Sequence, residues 1–349
     1  MSIWVLGATG RVGRAVTTAL LDRGENVVLV GRESARLSEL AASTGLRVVI
    51  ADGAERIAAA IREERPAVVV NTIGGYGESA TTIARACLPG GHYLDQAADL
   101  TAVPRLLALH DEAAAAGSTL VTGAGFGVLA TEAVVAKLCE GRPVPAQVRV
   151  DAVAAVAIEA GLLGSALAAS IIDVLVTGGR RFRNGSLTKS SIGTGARTLH
   201  LPDGEQAAVS EAPSAELLAA QRASGAPEVI AATAMMPASP VMRAVLPLAG
   251  RLLALEPLRR FAIGRMAGVE TKAAPSPRTH SWGHAVVTWP DGTTREGWLK
   301  AGEGMDFTAG VSAEVAARLA RGEGKPGAYT PAAAFGPELA TAAGGEFLS

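Results

Sequence analysis

Residues 4–37 read WVLGATGRVGRAVTTALLDRGENVVLVGRESARL. A short apolar run leads through glycines at 7, 10 and 13 into a helix-like stretch, and a second apolar run then ends at Gly31-Arg32. The run Ile3 to Leu6 has no polar alternation, which fits a strand covered on both faces in a parallel sheet. A helix is expected from about Arg11 to Arg23. Between them, Gly7-Ala8-Thr9-Gly10-Arg11-Val12-Gly13 is a G-x-x-G-x-x-G variant of the dinucleotide fingerprint. One glycine serves the tight turn, one lets the backbone approach a pyrophosphate, and one lets the helix pack closely on its strand. The free amides of the helix start then face phosphate oxygens, so Thr9, Arg11 and Val12 join Gly7, Gly10 and Gly13 as cofactor-binding residues.

The second strand, Val27 to Gly31, ends in Arg32 where an NAD-binding sheet carries an acid. A carboxylate there accepts hydrogen bonds from the ribose hydroxyls, whereas a guanidinium pairs with a 2'-phosphate, so the expected cofactor is NADP(H). The plainer alternative is a solvated arginine at a strand end, and the same alternative applies to Arg36.

Strand and helix go on alternating. Strands are expected at 46–52, 67–72, 92–95 and 119–124, with helices over AERIAAAIREER, 78–88 and about 99–116. This is the pattern of an α/β fold, a doubly wound parallel sheet. Ligands bind such sheets beyond the carboxyl ends of the strands, which brings Asp52, Gly53, Asn71, Thr72, Ile73 and Gly74 to the cofactor crevice.

After Gly125 the rhythm changes. A long strand is expected at 147–158, a helix at 163–177, and hairpins turning at Asn184-Gly185 and Asp291-Gly292. That describes an α+β domain with a mainly antiparallel sheet. The polar stretch 202–228 reads as loop and surface helix. In 240–266, Val241, Val245, Leu248, Leu252 and Leu255 share the stretch with Arg243, Arg251, Arg259, Arg260 and Arg265, and Pro247 and Pro257 are expected to break it into short helices. A basic amphipathic helix of that kind either lies on a membrane or docks an acidic partner such as a carrier protein, or it is a surface helix pair with solvated arginines. Near the end, Thr330 is placed to cap a helix starting at Pro331, in a segment expected to return to the first domain.

Composition narrows the function classes. With 349 residues, two domains are expected. The 32 basic residues balance 33 acidic ones, so no global field draws the chain to nucleic acid. Two cysteines, Cys87 and Cys139, are too few for a disulfide framework, which suits reducing cytoplasm. The start of the chain shows no signal peptide, and Glu159, Gly161, Gly164 and Asp173 interrupt the longest apolar stretch, so no transmembrane segment is expected.

The motifs GATGRVG (7–13), VVVNTIGGYG (68–77), ARACLPGGHYLD (84–95), TGAGFG (122–127) and AYTPAAAFG (328–336) together resemble the saccharopine dehydrogenase-like reductases, a broad family that includes trans-acting enoyl reductases. The Gly-Gly-His-Tyr-x-Asp run is the most specific of them. The resemblance implies a discontinuous Rossmann domain, 1–124 plus 325–349, with a substrate domain, 125–324, inserted after its sixth strand. It also implies hydride transfer from NADPH and a homodimer formed through the inserted sheet. Where the family often has Gly-Pro before an aromatic residue, this chain has Gly74-Gly75-Tyr76. The inserted domain shows no match for the amino-acid-binding residues of true saccharopine enzymes.

Hydride transfer asks the protein for a fixed nicotinamide, a substrate carbon within reach and a partner for the developing charge. Tyr76, following the loop expected near nicotinamide, is either a proton donor or a packing aromatic. Asp95 either orients substrate or caps a helix, and Phe126 joins it on the substrate side. His280 and His284 are four apart, which on a strand puts both on one face with Trp282. They are candidates for substrate contact and acid respectively, against a surface-facing alternative. No third ligand follows to make a metal site. A Tyr-x-x-x-Lys pair for carbonyl reduction is absent. The expected activity is therefore NADPH-dependent reduction of a conjugated C=C in a small or carrier-bound substrate, plausible in secondary metabolism. Imine reduction is the alternative within the same class, and a non-catalytic NADP-binding sensor or scaffold is the alternative outside it.

Overall fold

The computed structural model describes residues 1–234 and 249–348. These form two units: one made of 1–97, 101–126 and 305–343, the other of 98–100, 127–304 and 344–349.

The first unit is a seven-stranded parallel sheet. Its strands are β1 (Ile3–Leu6), β2 (Val27–Gly31), β3 (Arg47–Ile50), β4 (Val68–Asn71), β5 (His92–Asp95), β6 (Thr119–Val121) and a late strand, Gly327–Tyr329. The order β3-β2-β1-β4-β5-β6 is extended beyond β6 by that late strand, so chain order reverses between β1 and β4. That reversal is where a doubly wound sheet binds its ligand. The opening apolar runs are buried throughout, with Trp4, Val5, Leu6, Leu29 and Val30 all inaccessible to solvent. Both faces of the strands are covered, which explains why their sequences show no alternation.

Helices α1 (Arg11–Leu21), α2 (Ser34–Thr44), α3 (Ala54–Glu64) and α4 (Tyr76–Ala86) follow the first four strands. The single helix expected at 99–116 is instead two, α5 (Ala102–Leu107) and α6 (His110–Ala115). At the junction the Leu109 N–H bonds to Leu106 O, three residues back rather than four, and the helix turns.

The second unit is built on a nine-stranded mixed sheet. After α7 (Phe126–Cys139) come β7 (Gln147–Val153), β8 (Gly161–Leu162), α8 (Ser165–Thr177), β9 (Arg180–Arg183), β10 (Ser186–Lys189), β11 (Arg197–His200), β12 (Gln206–Glu211), α9 (Glu216–Ser224), β13 (Glu228–Thr233), β14 (Glu270–Thr271), β15 (Ser281–Thr288) and β16 (Thr294–Ala301), and the chain ends in β18 (Glu346–Leu348), the late strand above being β17. Central β7 pairs antiparallel with β15 and parallel with β13, while the hairpins β9–β10 and β15–β16 are antiparallel. The first turns at Asn184-Gly185, both with positive φ, and the second has Gly292 at φ 84°.

Three expectations need correction. The long strand at 147–158 stops at Val153, and Gly161–Leu162 belongs to a separate two-stranded ribbon with Glu270–Thr271. The polar stretch 202–228 is not surface: it holds β12 and α9, and Leu217, Ala219 and Ala220 are fully buried. The alanine-rich helix packs its small face on β7 and β13, a burial that a polarity average hides. The return to the parallel sheet begins at Met305 rather than 325, and the last residues pair with β16 in the mixed sheet.

Of the basic apolar segment 240–266, residues 240–248 lie outside the described residues. The helix Glu256–Ala267 packs on α8, where Arg259 Nη2 bonds Asp173 Oδ1 at 2.7 Å, and leaves Leu258 and Phe261 exposed. No helix among the described residues is long and apolar enough to cross a membrane.

Candidate active site

The opening glycines form a cradle whose shape excludes side chains. Gly7 has φ +75°, a conformation costly for other residues, and a Cβ there would lie 2.9 Å from Thr72 Oγ1. A Cβ on Gly13 would meet the Gly7 carbonyl oxygen and approach Ala8 Cα to 2.9 Å, both backbone atoms that cannot swing away. The first turn of α1 is thereby pressed against the loop. Gly10 caps α1 without any side-chain hydrogen bond, and the first turn holds no acid. An α-helix leaves its first amides without partners in the helix, so this end presents positive potential toward an anion. Thr72 fixes the other wall, its hydroxyl donating to Leu6 O at 2.7 Å. Such a backbone cradle fits a dinucleotide pyrophosphate, with Gly7, Thr9, Gly10, Arg11, Val12 and Gly13 around it.

At the end of β2, a Cβ on Gly31 would lie 3.3 Å from Leu37 Cδ1, so the strand end sits tightly on α2. Beyond it Arg32 and Arg36 are exposed, both directed at Glu33: Arg32 Nε is 3.9 Å and Arg36 Nε 3.3 Å from its carboxylate. Two guanidiniums sharing one exposed counter-charge keep capacity for a phosphate. Asp52 is exposed at the end of β3, and Gly53, with φ +78°, caps α3.

The ends of β4, β5 and β6 are joined by a buried polar chain. Asn71 Nδ2 donates to Tyr93 Oη at 2.9 Å, and the Tyr93 hydroxyl donates to Asp95 Oδ2 at 3.0 Å. Asp95 Oδ1 accepts from Thr122 Oγ1 at 2.8 Å and from the amides of Ala97 and Gly123. Burial pushes the Asp95 carboxyl up to about 6 although these hydrogen bonds pull it down. Burial and the neighbouring Asp95 together push the Tyr93 phenol well above its ordinary range. Asp95 is wholly buried with both oxygens engaged, so the substrate role considered for it gives way to cross-bracing of three strand ends. Asn71 Oδ1 accepts from the Ile73 amide at 3.0 Å, which shapes the loop through Gly74.

Tyr76 opens α4 behind Gly75, which has φ +79°. Its hydroxyl donates to Asn71 O at 3.4 Å, and its ring is half-buried against the core of the unit. Phe126 is buried edge-on to Phe307, with ring centroids 6.1 Å apart, and its amide donates to Thr308 Oγ1. It serves packing at the exit of the sheet rather than offering a face to substrate.

In the second unit, Trp282 and His284 of β15 and His280 just before it contact one another's side of the strand through aromatic rings: Trp282 is edge-on to both His280 and Trp298, and His284 stacks 4.0 Å from Trp298. His284 is buried, not surface-facing. Its Nδ1 lies 2.9 Å from Asp151 Oδ2 and its Nε2 2.9 Å from Glu296 Oε1, so both ring nitrogens are engaged by carboxylates. Asp151 also receives Arg149 at 3.0 Å and Arg197 at 2.6 Å. Burial pushes the Asp151 carboxyl up, but the His284 hydrogen bond and the two guanidiniums outweigh it and hold the group low. A ring locked between two carboxylates and stacked on an indole has no free nitrogen to give a substrate, so His284 is corrected from acid to the centre of an ion network. His280 is half-buried, 3.7 Å from Asp203.

Sequence reasoning missed Asp151, Arg149, Arg197 and Glu296. The alternation Arg149, Asp151, Val153 along β7 marks a shared face, but nothing local says that this face meets residues 197 and 284. Among the described residues no group of three His, Cys, Asp or Glu gathers as metal ligands. Burial raises the Cys87 thiol far above its usual range and the Cys139 thiol to about 11, so neither is a ready nucleophile at neutral pH.

Residues 3–121 match the model of the saccharopine dehydrogenase NADP binding domain. Over the whole of both chains, the structure is similar to apo saccharopine dehydrogenase (L-Glu forming) from Saccharomyces cerevisiae, at 13% identity and a TM-score of 0.59. Over 35% of this chain it is similar to a short-chain dehydrogenase from Sphingobium yanoikuyae in complex with NADPH (20% identity, 70% of that chain, TM-score 0.29) and to one from Streptomyces avermitilis (22% identity, 63% of that chain, TM-score 0.29). No curated protein matches by sequence. The glycine cradle and the paired arginines at the end of β2 both lie within residues 3–121, the part of the chain that is similar to the NADP binding domain of saccharopine dehydrogenase.

Proposed function

We propose that this oxidoreductase reduces the conjugated C=C of a lipophilic thioester, small or carrier-bound, with NADPH as the reductant. The observation that carries the reading is the helix Glu256–Ala267: it exposes Leu258 and Phe261, the latter 68% accessible, beside Arg260 and Arg265. Apolar surface next to cations suits an acyl chain whose carrier or coenzyme is anionic. The 2'-phosphate is taken by Arg32, with Arg36 beside it, and the pyrophosphate by the 7–13 loop. Bound NADPH supplies the hydride. Tyr76, next to the end of β4, is the polar side chain proposed for contact with the substrate's polar end.

The test is NADPH oxidation with a panel of trans-2-enoyl-CoA thioesters of rising chain length and a panel of cyclic imines. Turnover of thioesters, rising with chain length, is expected. Turnover of imines alone assigns C=N reduction instead. Tight NADPH binding with no turnover of either panel leaves the sensor reading.

A further inference from the structure

Most helices are held in a folded chain by an apolar face packed inward. The twelve-residue helix Glu256–Ala267 has no buried residue at all. It belongs to a wider pattern. Twelve large apolar side chains stand exposed among the described residues, and eight of them fall in two stretches of the second unit, 158–171 and 252–269. Leu162 is 66% exposed and Phe261 68%, and Leu252, Leu255 and Val269 are each more than half exposed. Single apolar residues are ordinary on a surface, but a contiguous group marks a place that meets something other than water.

The two stretches are packed on one another. Arg259 Nη2 reaches Asp173 Oδ1 of α8 at 2.7 Å, and the Gly164 amide at the start of α8 donates to Ala267 O at 3.1 Å. The helix Glu256–Ala267 therefore runs back along α8. Beside that end the Leu163 amide donates to Val269 O at 3.0 Å, and Leu162 pairs with Glu270 in the β8–β14 ribbon. At the far end of α8, Gly250 lies against Leu175 O so closely that a Cβ would not fit. The exposed side chains are thus spread along the thirteen residues of α8, about 20 Å.

Charge narrows what can cover this surface. Residues 158–177 and 249–278 hold six Lys or Arg against four Asp or Glu, in a chain whose totals are 32 and 33. Asp173 is taken up by Arg259 and Glu256 by Arg260. Arg251, Arg265 and Lys272 stand exposed among the apolar residues, with Glu159 and Glu270 exposed at the ribbon. A two-fold contact with a second copy would set a cationic surface against itself. An acidic protein docks chiefly through charge, whereas here two arginines are already neutralised and apolar area dominates. Apolar side chains that enter an acyl layer, with cationic stems reaching back to phosphate, are what an interfacial binder needs. We propose that this surface seats the protein on a lipid bilayer carrying anionic headgroups, with Leu162, Leu258, Phe261 and Val269 in the acyl region and Arg251, Arg265 and Lys272 at the phosphates. The seat is independent of the reductase reading, and it holds the exposed helix where lipophilic acyl groups dissolve.

The experiment sediments the full-length protein with vesicles of phosphatidylcholine alone and of phosphatidylcholine mixed with phosphatidylglycerol. Leu162→Asp, Phe261→Asp and Arg265→Glu are compared with Val144→Asp, whose side chain is exposed elsewhere in the unit, against Gly225. Melting temperatures show that each variant is folded, and because Leu162 and Phe261 stand on separate elements, a fold lost in one leaves the other as the test. The wild type should bind the mixed vesicles and bind phosphatidylcholine alone several-fold more weakly. Leu162→Asp and Phe261→Asp should each weaken partitioning about tenfold or more, and Val144→Asp should leave it unchanged. Arg265→Glu should weaken binding to the mixed vesicles only. Absence of wild-type binding to the mixed vesicles, or binding that both aspartate variants retain in full, overturns the proposal. So does a dimer in lipid-free sedimentation equilibrium that Phe261→Asp dissociates, which assigns the surface to a second copy. Binding of an acidic acyl carrier protein without any binding of vesicles assigns it to the carrier and overturns the proposal as well. Failure of the reductase reading shows in the turnover panels alone, since none of these measurements uses turnover.

Discussion

In the parallel-sheet unit, the groups proposed to meet a cofactor are mainly backbone amides within seven consecutive residues, Gly7 to Gly13. In the mixed-sheet unit, one buried ion network draws on positions 149, 151, 197, 284 and 296. The first is a local device: glycine spacing, strand and helix start are enough to build it. The second exists only because β7 pairs with β15 and the β11–β12 hairpin carries Arg197 onto the same face. A local site fails by losing its ligand, whereas an assembled one fails by losing the fold around it.

The sharpest way to break that contrast is Asp151→Ala. Removing the carboxyl leaves His284, Arg149 and Arg197 without their shared counter-charge, and we expect a loss of about 3–5 kcal/mol in urea unfolding, with NADPH affinity of the folded protein unchanged. A comparable loss of affinity with intact stability would mean that the network serves the cofactor after all.

Asp95 sharpens the comparison through pH. Its folded carboxyl is raised from 3.8 to about 6, so the native state holds the proton more tightly than the unfolded chain. The contribution of this group therefore favours folding at low pH and is lost as pH rises from about 4 through about 6, by about 3 kcal/mol. Asp95→Asn should remove that slope from the difference between its stability curve and that of the wild type. A parallel pair of curves would refute the burial argument.

Next comes Gly13→Ala. Its Cβ must displace the Gly7 carbonyl or lift α1 away from the loop, and we expect NADPH binding by calorimetry to weaken about a hundredfold. Retained affinity would show that the close approach is incidental. The smallest effect is expected from Arg32→Ala, which removes one charge-assisted contact and should narrow the preference for NADPH over NADH about tenfold. An unchanged preference would shift the 2'-phosphate to other groups.

How far the sequence could be read followed how far its signals reach. The strands of the parallel sheet were legible because burial on both faces leaves unbroken apolar runs, as in Val68 to Val70, closed by glycine or polar residues. The hairpin turns were legible because Asn184-Gly185 and Gly292 supply the positive φ their tight turns need. Helix α9 and strand β12 were not, since Glu216, Gln221 and Arg222 make the stretch look polar while its alanines and Leu217 are packed inward. His280 and His284 were placed from their spacing on one side with Trp282, as the aromatic contacts show. The burial of His284 between two carboxylates depended on partners 133 and 12 residues away.

The amino-acid sequence by itself determined the glycine cradle, the arginines that follow β2 and the alternation that makes the first sheet parallel. Each of these depends on backbone conformation or side-chain type within a single strand–turn–helix unit. Only the tertiary structure decided that Asp95 braces strand ends and that Asp151 gathers an imidazole and two guanidiniums. Burial and pairing between distant segments set the charge state and role of those carboxyls, and no window of neighbouring residues contains that information.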